Sequence, residues 1–242
     1  MRIDHLLVAR GLFKSRARAR AANEAGLVKA DGVVVRKPSE KVDETAEIEA
    51  EAAHPWVGRG ALKLDHALTL WPVAVEGRTV LDVGASTGGF TEVCLVRGAA
   101  RVFAVDVGSG QIHARVAGDP RVVNLERTDA RDLTPALIPE PPQLIVCDAS
   151  FIGLAKVLPA ALALAASDAD LVTLVKPQFE AAGPGGTKKG VVRDAAAQQT
   201  ALTAVSDWLE GEGWSVRATA ESPITGADGN VEFLLWARRV AD

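Results

Sequence analysis

A chain of 242 residues, 48% hydrophobic and 24% charged, is long enough to bury a core and too apolar to stay disordered. Its net charge of −4 conceals an uneven spread. Residues 1–41 carry ten Lys and Arg against four Asp and Glu, the remainder seventeen against twenty-seven, so a head of +6 precedes a body of −10 and is suited to meet a polyanion.

The head reads as a compact αβ module. Ile3, Leu6, Leu7 and Leu12 mark a first helix, and Ser15 caps a second that Gly26 ends. Asp31-Gly32, between the apolar stretches 27–30 and 33–35, is a hairpin turn, and a last short strand surrounds Ile48. This gives a small domain over 1–53, a linker over 54–60 and a second domain over 61–242. In the second domain, strands are expected at 79–83, 101–105, 121–125, 143–147, 170–175, 214–220 and 231–237. Helices are expected at 59–71, 88–98, 109–117, 152–166 and 194–212. Such alternation builds a parallel sheet covered on both faces. Only a loop containing Pro223, Gly226 and Gly229 separates the last two strands, so they form an antiparallel hairpin. A seven-stranded, mostly parallel α/β sheet with an antiparallel last strand is the Rossmann-like class I methyltransferase pattern. The Gly- and Lys-rich stretch 181–189 reads as a mobile loop that the polyanionic partner would order.

Cys94 and Cys147 lie in apolar runs, and neither they nor the four His form a metal-ligand spacing, so buried thiols and no metal are expected. Residues 1–10 do not read as a secretory signal, and the apolar stretch 154–166, with Lys156 and Pro159, is too short to span a bilayer. The expectation is a soluble, cytoplasmic protein without a membrane span; its oligomeric state is not legible.

The first strand of the sheet runs into Asp82-Val83-Gly84-Ala85-Ser86-Thr87-Gly88-Gly89-Phe90, a glycine loop opening a helix. Its Gly-x-x-x-Gly-Gly spacing differs from the dinucleotide fingerprint, and Asp82 would repel a pyrophosphate but could face the ammonium group of S-adenosylmethionine. Asp106, at the end of the second strand with Val107 after it, can accept both ribose hydroxyls of that donor. Asp129, with Ala130, is a candidate for the adenine edge.

Four further polar residues fall at the same rim. Asp148 and Lys176 end the fourth and fifth strands, Glu232 stands near the start of the reversed last strand, and Lys63 sits on the helix before the first. A ribose hydroxyl must lose its proton to attack a methyl group. Desolvation and the second cation Lys63 would favour the neutral amine of Lys176, which suits it as base; Asp148, which also borders the donor, and Glu232 would hold the two amines.

Taken together, 82–90, Lys176-Pro177-Gln178-Phe179, 190–194, Ser222-Pro223-Ile224-Thr225-Gly226 and 230–236 closely resemble the TlyA family of ribosomal RNA 2′-O-methyltransferases, also called hemolysin A or FtsJ-like. The resemblance implies a catalytic tetrad at Lys63, Asp148, Lys176 and Glu232, with cytidine of 16S and 23S RNA as target. Residues 12–39 resemble the S4 RNA-binding domain, which implies ribosomal subunits as partners and RNA contacts at Lys14, Ser15, Arg16, Arg18, Arg20, Lys29 and Lys37, with Arg59 beyond it. The sequence departs from the family pattern at Ser109, where an aromatic is frequent, and at Asp129, where Asn is common. Three alternatives stay open: a non-catalytic RNA-binding assembly factor on the same fold, a nicotinamide oxidoreductase, and a membrane-lytic protein.

Overall fold

The computed structural model describes residues 1–180, 190–226 and 228–240. The stretch 181–189, expected to be an RNA-ordered loop, lies outside the described residues. The chain divides into two compact units, Met1–Pro55 and Trp56–Asp242. Residues 56–60, expected in a linker, therefore belong to the larger unit. The reason is local: the Val57 amide donates to the buried Glu92 carboxylate at 2.6 Å, and the Val57 side chain joins the core.

The smaller unit pairs helices α1 (Ile3–Ala9) and α2 (Arg16–Glu24) with a three-stranded antiparallel sheet of β1 (Val28–Ala30), β2 (Val33–Val34) and β3 (Ile48–Ala50), in the order β2-β1-β3. Ser15 caps α2 by accepting the Arg18 amide. Asp31 and Gly32 both take the left-handed conformation that the tight turn between β1 and β2 requires. Ile3, Leu7, Ala19, Ala22 and Val28 are fully buried between the layers.

In the larger unit, α3 (Ala61–Leu70) precedes β4 (Thr79–Val83), α4 (Gly89–Val96), β5 (Arg101–Asp106), α5 (Ala114–Ala117) and β6 (Val122–Glu126). Then come a 3-10 turn (Ala130–Asp132), β7 (Leu144–Cys147), α6 (Leu154–Val157), α7 (Pro159–Leu164) and β8 (Asp170–Val175). The chain continues through α8 (Pro177–Glu180) and α9 (Ala195–Gly211) and closes with β9 (Trp214–Glu221) and β10 (Phe233–Arg239). The sheet order is β6-β5-β4-β7-β8-β10-β9, and β10 runs antiparallel to both of its neighbours. Alternation along β4 sends Leu81 and Val83 into one core and Val80 into the other, so helices cover both faces. Cys94 and Cys147 are fully buried, and burial pushes the Cys147 thiol up to about 12.

Three expected elements differ. The helix expected at 109–117 is only Ala114–Ala117, because Gly110 is left-handed and the first capping side chain is that of His113. The helix expected at 152–166 breaks into α6 and α7, with Pro159 opening the second. The last strand starts at Phe233, so Glu232 stands just ahead of it.

Candidate active site

The carboxyl ends of β4, β5 and β7 frame a pocket of about 510 Å³, within the range of small-molecule sites. Of the residues expected to hold the donor, Gly84, Ser86, Asp106, Val107, Asp129, Ala130 and Asp148 line it. Gly84 is left-handed (φ 82°), and a Cβ there would stand 3.0 Å from the Ala149 backbone, so only glycine fits this crossing between β4 and β7. Asp106 is held ready: its Oδ2 accepts the Ser86 amide at 2.8 Å and its Oδ1 the Gly108 amide at 2.7 Å. Both oxygens keep lone pairs for a ligand's hydroxyl groups. Asp129 caps the 3-10 turn, and its bidentate bond to the Arg131 guanidinium holds the carboxyl down at about 2. At the pocket it is an anion already partnered by Arg131.

The remaining loop residues serve the frame. Ala85, Gly88, Gly89 and Phe90 are buried, and Phe90 belongs to the core. Exposed Thr87 meets the segment ahead of α3: a Cβ on Gly58 would stand 2.5 Å from its Oγ1, and one on Gly89 would stand 3.2 Å from the Ala61 amide. Asp82 does not reach the pocket. Expected to face the donor, it is fully buried and lies outside the pocket lining. Strand alternation turns it away from Leu81 and Val83 toward α4, where Thr91 Oγ1 donates to it at 2.6 Å. Its Oδ1 has no partner among the described residues, and desolvation raises the carboxyl to about 7.

Lys63, Asp148, Lys176 and Glu232 meet beside this pocket. Antiparallel pairing sets Phe233 opposite Val175, so Glu232 and Lys176 flank the next position of the ladder. Asp148 directly follows the end of β7, beside β8, and α3 brings Lys63 across the sheet end. Lys63 Nζ donates to Glu232 Oε2 at 2.7 Å and lies 3.4 Å from each Asp148 oxygen. Lys176 Nζ is 2.7 Å from Asp148 Oδ1, 3.0 Å from the Asp148 carbonyl and 2.9 Å from Ser150 Oγ. Lys63, Lys176 and Glu232 are 6%, 4% and 3% exposed, so two cations and two anions compensate one another away from water. Asp148 alone lines the pocket as well.

The sequence reading passed over several members of the site. Ser150, Phe151, Gly108, Gln111, Thr128 and Arg131 line the pocket from the turns after β5, β6 and β7. Their signal was position alone, in the loops that leave a switch-point edge. Gly226 is close-packed on the tetrad, since a Cβ there would stand 2.5 Å from Glu232 Oε1.

The expected RNA contacts do not form one set. In the smaller unit Arg16 and Arg20 line a pocket of about 500 Å³ together with Arg2, which was not foreseen. The Arg2 guanidinium, with Arg16 behind it, holds the buried Asp4 carboxyl below its usual range. Arg20 pairs with Glu24, Lys29 with Glu49, and Arg18 donates to the His54 carbonyl. Lys14 and Lys37 are exposed, and Ser15 is spent on the helix cap. Arg59 lies in the larger unit, where it donates to the Thr225 carbonyl at 2.8 Å. Among the described residues no helix is long and apolar enough to cross a membrane.

Comparison with known proteins gives concordant results. Residues 56–239 match the family described as FtsJ-like methyltransferase, and residues 1–48 match the S4 domain. The 16S/23S rRNA (cytidine-2′-O)-methyltransferase TlyA of Mycobacterium tuberculosis is 47% identical over 100% of this chain and 91% of its own length. A solved structure of a candidate hemolysin from Streptococcus thermophilus superposes with a TM-score of 0.78 at 38% identity, covering 99% of this chain and 88% of that one. Magnesium protoporphyrin IX methyltransferase of Synechocystis, solved with S-adenosylhomocysteine, shares the fold at 17% identity and a TM-score of 0.53, over 74% of this chain and 84% of that one.

Proposed function

Because the chain belongs to the FtsJ-like methyltransferase family and carries an S4 domain ahead of that fold, we propose that it methylates a ribose 2′-hydroxyl of ribosomal RNA, with S-adenosylmethionine as methyl donor. The mycobacterial relative's name gives the finer reading: cytidine as target, in both 16S and 23S RNA. Ribosomal subunits in the cytoplasm are then the natural partners.

The observation that carries this reading is that Asp148 belongs to two constellations at once, the pocket lining and the tetrad. It sets the Lys176 amine next to the place where a methyl group would be presented. The donor supplies an electrophilic methyl on a cationic sulfur. Asp106 is fitted to grip the ribose diol of its nucleoside, and Asp129 with Ala130 to border its adenine. Asp82 is no part of this grip; it anchors α4 to β4 through Thr91.

The chain's own task is to orient the hydroxyl and take its proton. Lys176 acts as the base, and Asp148 fixes the direction of its amine. Lys63, clamped by Glu232, also contacts Asp148 and so helps to fix the carboxylate that orients Lys176. Such positioning supplies much of the acceleration in an in-line displacement.

The smaller unit, with its Arg2, Arg16 and Arg20 pocket, would grip phosphates and read little base sequence. A non-catalytic assembly factor would have no use for three buried charges joined through a fourth, Asp148, that opens onto a donor-sized pocket. The test is transfer of labelled methyl to 30S and 50S subunits, followed by mapping of 2′-O-methyl sites. New ribose methyls at cytidines are expected; subunit binding with no label transferred would support the assembly factor instead.

A further inference from the structure

We propose that Ser150 is a catalytic residue: its hydroxyl relays the proton from the ribose 2′-hydroxyl to Lys176. This rests on the reading of Lys176 as base.

Lys176 Nζ has three directions besides its own carbon; hydrogen bonds to the Asp148 carbonyl at 3.0 Å and Ser150 Oγ at 2.9 Å take two, and Asp148 Oδ1 stands at ion-pair distance, 2.7 Å. The carboxylate and the carbonyl can only accept, so in the neutral amine the N–H groups are drawn to their side. The nitrogen lone pair then faces the third partner. Ser150 alone among the three can donate, and its hydroxyl rotates freely between the two roles.

Exposure points the same way. Lys176 is 4% exposed and is not among the pocket-lining residues, whereas Ser150 is exposed and lines the pocket. A hydroxyl approaching from the pocket therefore meets Ser150 Oγ before it meets the amine. The charged groups around the amine are Asp148 on the turn after β7, Lys63 on α3 and Glu232 ahead of β10, with the un-ionised Cys147 thiol behind. Of these, only Asp148 also lines the pocket, and its carboxylate is shared between Lys176 and Lys63.

The ribose oxygen forms its bond to the methyl carbon as the carbon–sulfur bond breaks and its electron pair stays on sulfur. The ribose proton passes to Ser150 Oγ while the Ser150 proton passes to Lys176 Nζ. Sulfur loses its positive charge and the lysine gains one, and Lys176 later returns the proton to water.

The experiment is single-turnover methyl transfer by the full chain on its RNA substrate, with donor binding measured by calorimetry. Ser150→Ala is expected to lose about 100-fold in rate with donor affinity unchanged, and Ser150→Thr, which keeps a hydroxyl, to recover to within about tenfold of the parent. In mixtures of light and heavy water the unmodified enzyme is expected to give a bowed proton inventory, because two protons move together; a merely supporting serine gives a straight line. A Ser150→Ala rate near that of the parent, or a straight or flat inventory, overturns the relay. The inventory needs no variant, so the proposal stays testable if Ser150→Ala fails to fold. An inactive Lys176→Ala beside an unimpaired Ser150→Ala removes the relay alone, whereas an active Lys176→Ala removes the base on which it rests.

Discussion

Asp82→Asn should change how stability responds to pH rather than abolish methyl transfer. The carboxyl is fully buried, one oxygen is bonded to Thr91, and the other has no partner among the described residues. Desolvation raises it from 3.8 to about 7. Because the folded value lies above the unfolded one, the neutral acid's contribution is fully present below about pH 4 and is lost as pH climbs through about 7. A gap of about three pH units corresponds to about 4 kcal/mol across that window. Asparagine does not titrate, so its own cost, an amide N–H without a partner, is constant with pH. Urea unfolding of both proteins between pH 4 and pH 8 isolates the term as a difference. All five tryptophans, at 56, 71, 208, 214 and 236, lie in the larger unit, so their fluorescence reports its unfolding alone. The variant should gain about 4 kcal/mol on the parent between the two extremes. A difference constant to within about 1 kcal/mol would mean that Asp82 is ionised throughout, as it would be if it faced a cation, and would refute the burial argument.

Other consequences follow from the packing and the charges. Gly226→Ala places a methyl group against Glu232 Oε1, which Lys63 pins at 2.7 Å, so methyl transfer should fall by about 100-fold while donor affinity holds, by kinetics and calorimetry. Asp106→Ala should raise the donor's KM by about tenfold or more and leave kcat at saturating donor within a few-fold, because the proposed grip on the donor's ribose would hold ground state and transition state alike. Arg16→Ala, removing one basic group from the smaller unit's pocket, should weaken binding to ribosomal subunits and reduce the slope of log affinity against log salt by about one. Binding titrations at several salt concentrations measure both.

How far the sequence foretold the site depended on which physical rule placed each residue. Asp148, Lys176 and Glu232 were legible because strand ends and one antiparallel reversal fix their edge, and register does the rest. Lys63 was legible only in company, since helix periodicity gives its spacing but not the direction in which α3 crosses the sheet. Asp82 was misread because a shift of one residue along a strand changes the face, and the glycine motif beside it drew it to the wrong one. Ser150 escaped notice because its place depends on a turn in which Phe151 takes a left-handed conformation (φ 69°), which no propensity announces. The arginine pocket of the smaller unit needed Arg2, far in sequence from Arg16 and Arg20, and only the folded contact through Asp4 joins them. The helix expected at 152–166 broke where proline removes an amide, a rule available from the sequence but outweighed by the apolar run around it.

The central claim is that a buried amine, oriented by a carboxylate shared with the donor pocket, takes the proton of the attacking hydroxyl. Replacing Lys176 with alanine tests it most directly, with donor binding measured by calorimetry and methyl transfer to ribosomal RNA measured on the same preparation. The account predicts donor binding close to that of the parent and no transfer above background; transfer at the parent's rate would contradict it.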